Sequence, residues 1–249
     1  MAMTRKDKYQ EKFRELFGSY PELTGSSDPE LMEILQKMIF GDVFSIGELD
    51  DQLRELITVV LLSVQQALPQ LRSHVGAALR IGNSPLAIRE AIYQCAPFIG
   101  FPRVLNAVNT MNEVFAEQEI ALPLAASATV DEASRHERGV AIQGELYGSG
   151  MRERFAKMPE ELREPLVDLL TDACFGDFYT RDGLDTRQRE LLVFCGLIAI
   201  GADFQIASHA RGNMKAGNSR EVLMAAIIHC IPYIGFPYGL NALAIVQDL

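Results

Sequence analysis

The sequence predicts an all-α fold, one helical module built twice. Three observations carry this: a gapless internal repeat, helix start and stop signals in the same order in both copies, and segments that all read as helix. Displaced by 135 residues, the chain matches itself, with 27 identities in the 71 positions from 40 to 110 against 175 to 245. Upstream, Glu15-Leu16-Phe17-Gly18 matches Glu145-Leu146-Tyr147-Gly148 at an offset of 130. The modules therefore span residues 5–118 and 134–249. Residues 119–133 join them, and Leu122 to Asp131, rich in Ala, Ser and Thr, reads as the linker.

In the first module Ser27-Asp28-Pro29-Glu30 offers a capping residue, a proline for the first turn and an acid, opening a helix expected to stop at Gly41. Leu49 to about Gln66 forms the next helix, with Leu53, Leu56, Ile57, Val60, Leu61 and Val64 on one broad apolar face. After a break at Pro69 a third helix carries His74 and ends at Gly82, a residue suited to a left-handed stop. Ser84-Pro85 starts a fourth, running to about Cys95, and Gly100-Phe101-Pro102 bends the chain into the last. In the second copy Val222 to Ile228 is almost wholly apolar, which requires burial on every side, in the module or against another subunit.

A net charge of −10 argues against polyanionic partners, since affinity for nucleic acid rests on Lys and Arg displacing phosphate counterions. No apolar run is long enough to span a bilayer, and the mixed-charge start lacks the core of a secretory signal, so a cytoplasmic location is expected. Cys95, Cys174, Cys195 and Cys230 form no CxxC pair and show no zinc spacing, and are read as free thiols. No phosphate loop or dinucleotide fingerprint is present, so no cofactor and no metal are expected.

Chemistry therefore rests on polar residues present in both copies. Glu55 and His74 recur as Glu190 and His209, each histidine 19 residues after its glutamate. A carboxylate beside an imidazole fixes its tautomer and makes a proton carrier, so these four are the catalytic candidates. The same pairs also fit a structural hydrogen bond between two helices. A hairpin turning near Pro69 would separate each pair by roughly 10 Å along the helix axis. Arg54, Gln70, Arg189 and Gln205 are the substrate-binding candidates; for the arginines the attraction is a guanidinium that grips a carboxylate, and the alternative is an ion pair between helices. Asp42 and Asp177 fit second acids or solvated loop positions, Asn106 and Asn241 a pin on the Gly-Phe-Pro bend, and His136 and His229, unmatched in the other copy, structural or exposed positions.

Taken together and twice in order, Arg54-Glu55-Leu56 and Arg189-Glu190-Leu191, the two histidines, the Gly82-Asn83 and Gly217-Asn218 stops and the Gly-Phe-Pro bends followed by Asn-Ala resemble the carboxymuconolactone decarboxylase and alkylhydroperoxidase superfamily. The likeness covers about 70 residues of each repeat. Its peroxidase branch places two cysteines where this chain has Ala67 and Gln70, or Ala202 and Gln205. The decarboxylase branch lacks them and converts an unsaturated carboxylactone to an enol-lactone without metal or organic cofactor. The resemblance implies a helical bundle, a small lactone or organic acid as substrate, proton transfer by His74 and His209 with Glu55 and Glu190 orienting them, and a homotrimer of fused modules. The alternatives are a cysteine-dependent, peroxidase-like antioxidant and a non-catalytic oligomeric scaffold.

Overall fold

The computed structural model describes residues 3–19 and 26–249, and among them every regular element is helical. The first module comprises α1 (Arg5–Phe17), α2 (Pro29–Gln36), α3 (Asp51–Gln65), α4 (Leu68–Arg80), α5 (Pro85–Tyr93), α6 (Ala96–Ile99) and α7 (Phe101–Glu117). The second comprises α8 (Arg135–Tyr147), α9 (Met151–Arg154), α10 (Glu160–Leu170), α11 (Thr186–Ala199), α12 (Asp203–Lys215), α13 (Arg220–Ile234) and α14 (Phe236–Gln247). None of the described helices is long and apolar enough to cross a membrane.

Local signals account for most boundaries. Asp50, Ser84, Asp185 and Ser219 each accept a hydrogen bond from the backbone three residues on, satisfying an amide that the helix cannot. Gly82 and Gly217 follow their helices at φ of +96° and +99°, which a Cβ would disfavour. Gly100 and Gly235, at +82° and +84°, make the two bends.

The expected stop at Gly41 is not there. The chain widens into π-helical turns over Lys37–Asp42 and closes with a 3-10 turn at Val43–Ser45, and the second copy widens likewise over Thr171–Tyr179. Close packing favours glycine at these places: a Cβ on Gly176 would lie 2.8 Å from the Arg135 carbonyl, which excludes a side chain, and one on Gly41 would press on the Arg5 carbonyl at 3.2 Å. The aspartates that follow are ion-paired rather than merely solvated, Asp42 with Arg5 and Asp177 with Arg135, fastening the first helix of each module onto its wide turn. Asn106 pins the α3–α4 turn instead of the Gly-Phe-Pro bend, donating to Gln66 Oε1 at 2.8 Å.

Helix α3 was expected to bury one face, yet everything from Arg54 to Val64 is buried. The reason is the second module: α11 and α13 pack on the far side of α3, and one continuous apolar core runs from Leu56 and Leu61 to Phe194, Leu197 and Ile227. Each such side chain contributes about 1.5–3 kcal/mol on burial. The apolar stretch of α13 is likewise covered by α3, α11 and α14 of the same chain. The linker is no free tether: Ser127 is buried, donates to Glu90 at 2.7 Å and accepts the Asp182 amide at 2.9 Å.

His229 sits at this seam with no exposed surface. Its Nε2 is 3.0 Å from the Arg54 carbonyl and 3.0 Å from Thr58 Oγ1, and its Nδ1 faces the Arg54 guanidinium at 3.5 Å. Burial, with the nearby Arg54 charge, pushes its pKa from 6.5 down to about 3, so the folded protein holds the ring neutral. A depressed value means that the unfolded chain binds the extra proton first. The stability that His229 contributes is therefore complete above pH 6.5 and declines toward pH 3, by about 1.4 kcal/mol per pH unit. Gln94 occupies the matching place in the first module, which makes His229→Gln a conservative probe. Urea unfolding of both proteins between pH 4 and 7 should show wild type losing stability relative to His229→Gln as pH falls; a constant difference would contradict a neutral buried ring.

Candidate active site

Arginine and glutamate in succession on a helix point about 100° apart, and α3 and α11 exploit this by sending the two charges to different places. Arg54 turns back over the α3 N-terminus, donating to the carbonyls of Ile46 at 2.8 Å, Leu49 at 3.2 Å and Val43 at 3.4 Å. Arg189 donates to the Arg181 carbonyl at 2.6 Å and to Gln94 of the first module at 2.9 Å, beside Glu90. Both guanidiniums are at most 1% exposed, and neither lines a pocket with its module's histidine. The structure turns both away from the pockets where a substrate carboxylate was expected: Arg54 to the loop that enters α3, and Arg189 to the loop that enters α11 and to Gln94 and Glu90.

The glutamates face the opposite way and do meet the histidines. His74 Nδ1 lies 2.8 Å from Glu55 Oε2, and His209 Nδ1 lies 3.3 Å from Glu190 Oε2. The 10 Å offset disappears because the hairpin turns at Gln66 and Ala67, ahead of Pro69. Gln66 adopts a left-handed conformation at φ +59°, ψ +31°, and Gly201 does so at the matching place. Glu55 is then eleven residues before the turn and His74 seven after it. The remaining rise of about 6 Å is within reach of two long side chains.

Each imidazole lines a pocket with the glutamine predicted beside it. In the first module a cavity of about 730 Å³ is bounded by His74, Gln70, Phe17, Phe40 and Tyr233. In the second, a cavity of about 210 Å³ is bounded by His209, Gln205, Tyr147, Phe175 and Phe98. Each pocket borrows one aromatic residue from the other module, at equivalent places: Tyr233 stands edge-on to His74 at 6.0 Å, and Phe98 to His209 at 5.7 Å. Among the described residues, Nε2 of neither ring has a hydrogen-bond partner within the protein.

The polar surroundings differ. Glu190 receives Tyr147 Oη at 2.6 Å on one carboxylate oxygen and the Tyr179 hydroxyl on the other. Tyr147 Oη is also 2.7 Å from His209 Nδ1, so the phenol accepts from the imidazole N–H and donates to the carboxylate. Burial and the Glu190 charge push both phenol pKa values up, keeping them protonated. In the first module the same places hold Phe17 and Phe44; Glu55 Oε1 is buried without a partner.

A glycine makes room for the phenol. A Cβ on Gly212 would lie 2.7 Å from Tyr147 Oη and 2.8 Å from Glu190 Oε2, while the matching residue beside Phe17 is Ala77. Sequence reasoning passed over Tyr147 and Tyr179, although the signal was printed in the repeat as Phe17 against Tyr147, Phe44 against Tyr179 and Ala77 against Gly212.

The thiols lack the environment of redox cysteines. Burial raises Cys95 to about 12 and Cys174 to about 11, and raises Cys230, which packs beside Cys195. Among the described residues no three His, Cys, Asp or Glu side chains are grouped to hold a metal ion. His136 is half exposed and pairs with Asp172 at 2.7 Å, away from either pocket.

The family model described as the carboxymuconolactone decarboxylase family matches residues 29–113 and again 164–248. The nitrosuccinic acid decarboxylase of Metarhizium robertsii is 27% identical over 126 residues, covering 50% of this chain and 88% of its own. The 4-carboxymuconolactone decarboxylase of Acinetobacter baylyi is 21% identical over 120 residues, covering 48% and 90%. In fold, the chain is similar to a crystal structure from Burkholderia xenovorans described as that of a candidate gamma-carboxymuconolactone decarboxylase subunit. The TM-score is 0.58 at 18% identity, over 99% of this chain and 97% of that one.

The Tyr147 and Gly212 contact can be measured by a double-mutant cycle in chemical unfolding. Tyr147→Phe removes two hydrogen bonds of the buried network and should cost about 1–3 kcal/mol. Gly212→Ala should cost a similar amount by forcing the phenol away. The double variant reproduces the Phe17 and Ala77 arrangement, so its cost should fall at least about 1 kcal/mol short of the sum; strictly additive costs would refute the packing argument.

Proposed function

Starting from the fact that the chain belongs to the carboxymuconolactone decarboxylase family, we propose that it is a carboxy-lyase-like enzyme acting without a cofactor on a small lactone or organic acid, with the reaction in the second-module pocket. The observation that supports this most is the relay from His209 through Tyr147 to Glu190, with the far nitrogen of the ring open to a cavity of about 210 Å³. Two relatives are named as decarboxylases, one of nitrosuccinic acid and one of 4-carboxymuconolactone.

The chemistry needs two things from the protein. As the bond between the substrate carbon and its carboxylate breaks, carbon dioxide leaves and the electron pair stays on that carbon, spread into an adjoining carbonyl or nitro group. A positioned acid must then return one proton. His209 in its protonated form gives the Nε2 proton to carbon, and the resulting neutral ring takes another from solvent. Glu190 and Tyr147 hold the ring by Nδ1, which fixes which nitrogen works, and the aromatic walls keep water from competing. The first pocket holds the same glutamate–histidine pair without the phenol relay and is assigned no turnover.

The thiol alternative loses ground to the structure. Peroxidase chemistry of that type needs an accessible thiolate, and burial raises Cys95 and Cys230 in the opposite direction. The scaffold alternative predicts that the histidines are dispensable for any turnover.

Carbon dioxide release from 4-carboxymuconolactone and from nitrosuccinate measures the proposal. The expected result is turnover of at least one of them, reduced about 100-fold or more by His209→Gln, in line with the usual weight of a general acid, and changed only a few-fold by His74→Gln. Undiminished release by His209→Gln, or none from either compound with the wild-type protein, would remove the reading.

A further inference from the structure

An organic acid entering a chain of net charge −10 needs a cation to hold it, and the two arginines expected to do so are occupied elsewhere. The described walls of the first pocket contain no lysine or arginine. The second pocket has one, Arg154, at the end of α9 and on the same cavity as His209, Gln205 and Ser208.

Arg154 is held in place and has no acidic partner. Its guanidinium carbon sits 3.9 Å from the centroid of the Phe204 ring, with Phe155 at 5.9 Å. The aromatic face takes the flat side of the guanidinium and leaves the N–H edge, the part that pairs with a carboxylate, available. Arg152, two residues earlier, shows what usually happens in this acidic chain: it is bound by Glu164 at 2.7 Å and Asp168 at 2.9 Å. Among the described residues no carboxylate lies within ion-pair distance of Arg154, and its guanidinium makes no hydrogen bond to the protein.

We infer that Arg154 is the carboxylate anchor of the second pocket, gripping the carboxylate that stays on the substrate and not the one that leaves. The inference rests on the reading that the reaction occurs at His209. The second carboxylate follows from transition-state logic. A guanidinium paired with the departing carboxylate would stabilise the substrate more than the transition state, because negative charge drains from that group as carbon dioxide forms. An anchor therefore helps only if it grips a carboxylate that keeps its charge throughout, leaving the departing one against aromatic walls. Arg154 itself exchanges neither protons nor electrons in the step.

Isothermal titration of the full chain with succinate, and with succinamide as its uncharged counterpart, tests the anchor apart from catalysis. Wild type should bind succinate at least about ten times more tightly than succinamide, in line with a charge-assisted bidentate contact. Arg154→Met should erase that preference, and His209→Gln should retain it. The assignment is overturned if Arg154→Met binds succinate as wild type does, if wild type shows no preference for succinate, or if His209→Gln loses the preference equally. Those failures concern the anchor alone, because the role of His209 is judged separately by carbon dioxide release.

Discussion

A carboxylate with no exposed surface must find its partners inside the protein, and this constraint organises both halves of the molecule. Glu55 and Glu190 are each fully buried, a placement that costs several kcal/mol unless hydrogen bonds and charge compensate. Around Glu190 the compensation comes from three elements at once: Tyr147 on α8, Tyr179 on the π-helical turns after α10, and His209 on α12. The wide turns and the close approach at Gly176 and Gly212 are what bring those elements within reach. In the second module the local backbone irregularity thus serves to surround one charge.

Duplication then allowed the two surroundings to separate. The second module places hydroxyls on both oxygens of its glutamate, while the first puts phenyl rings in the same places and lets His74 touch Glu55 directly. Phenol with glycine, and phenyl with alanine, are matched pairs: the hydroxyl needs the space that the methyl group would occupy. Since Phe98 closes the second pocket and Tyr233 the first, neither module builds its site alone. The continuous core between α3, α11 and α13 is the physical expression of that exchange.

How much of this could be read in the sequence depended on whether the cause was local. The cap Ser84 and the left-handed glycines after α4 and α12 were legible because each acts within a few residues of itself. The glutamate–histidine spacing was legible because it recurred. The turn at Gln66 was not, since a glutamine seldom takes that conformation and is supported here by bonds from its amide to the Ser63 and Arg103 carbonyls; Gly201 in the second copy was the available clue. Where Arg54 and Arg189 point was not legible, because their carbonyl partners lie on loops whose course no periodicity reports, although the pairing of Arg189 with Glu90 is the ion pair between helices that the sequence also allows. Arg154 has no mark at all in the repeat, as its value comes from Phe204 and from the acids that are absent around it.

Proton return to carbon requires a particular nitrogen of His209 to carry the hydrogen when the ring is neutral. Long-range proton–nitrogen correlation spectra of selectively labelled histidines read this directly. With Nδ1–H donating toward Tyr147 and Glu190, the neutral ring should show a protonated Nδ1 and a bare Nε2. A neutral His209 with hydrogen on Nε2 and none on Nδ1 would contradict the relay and the chemistry built on it.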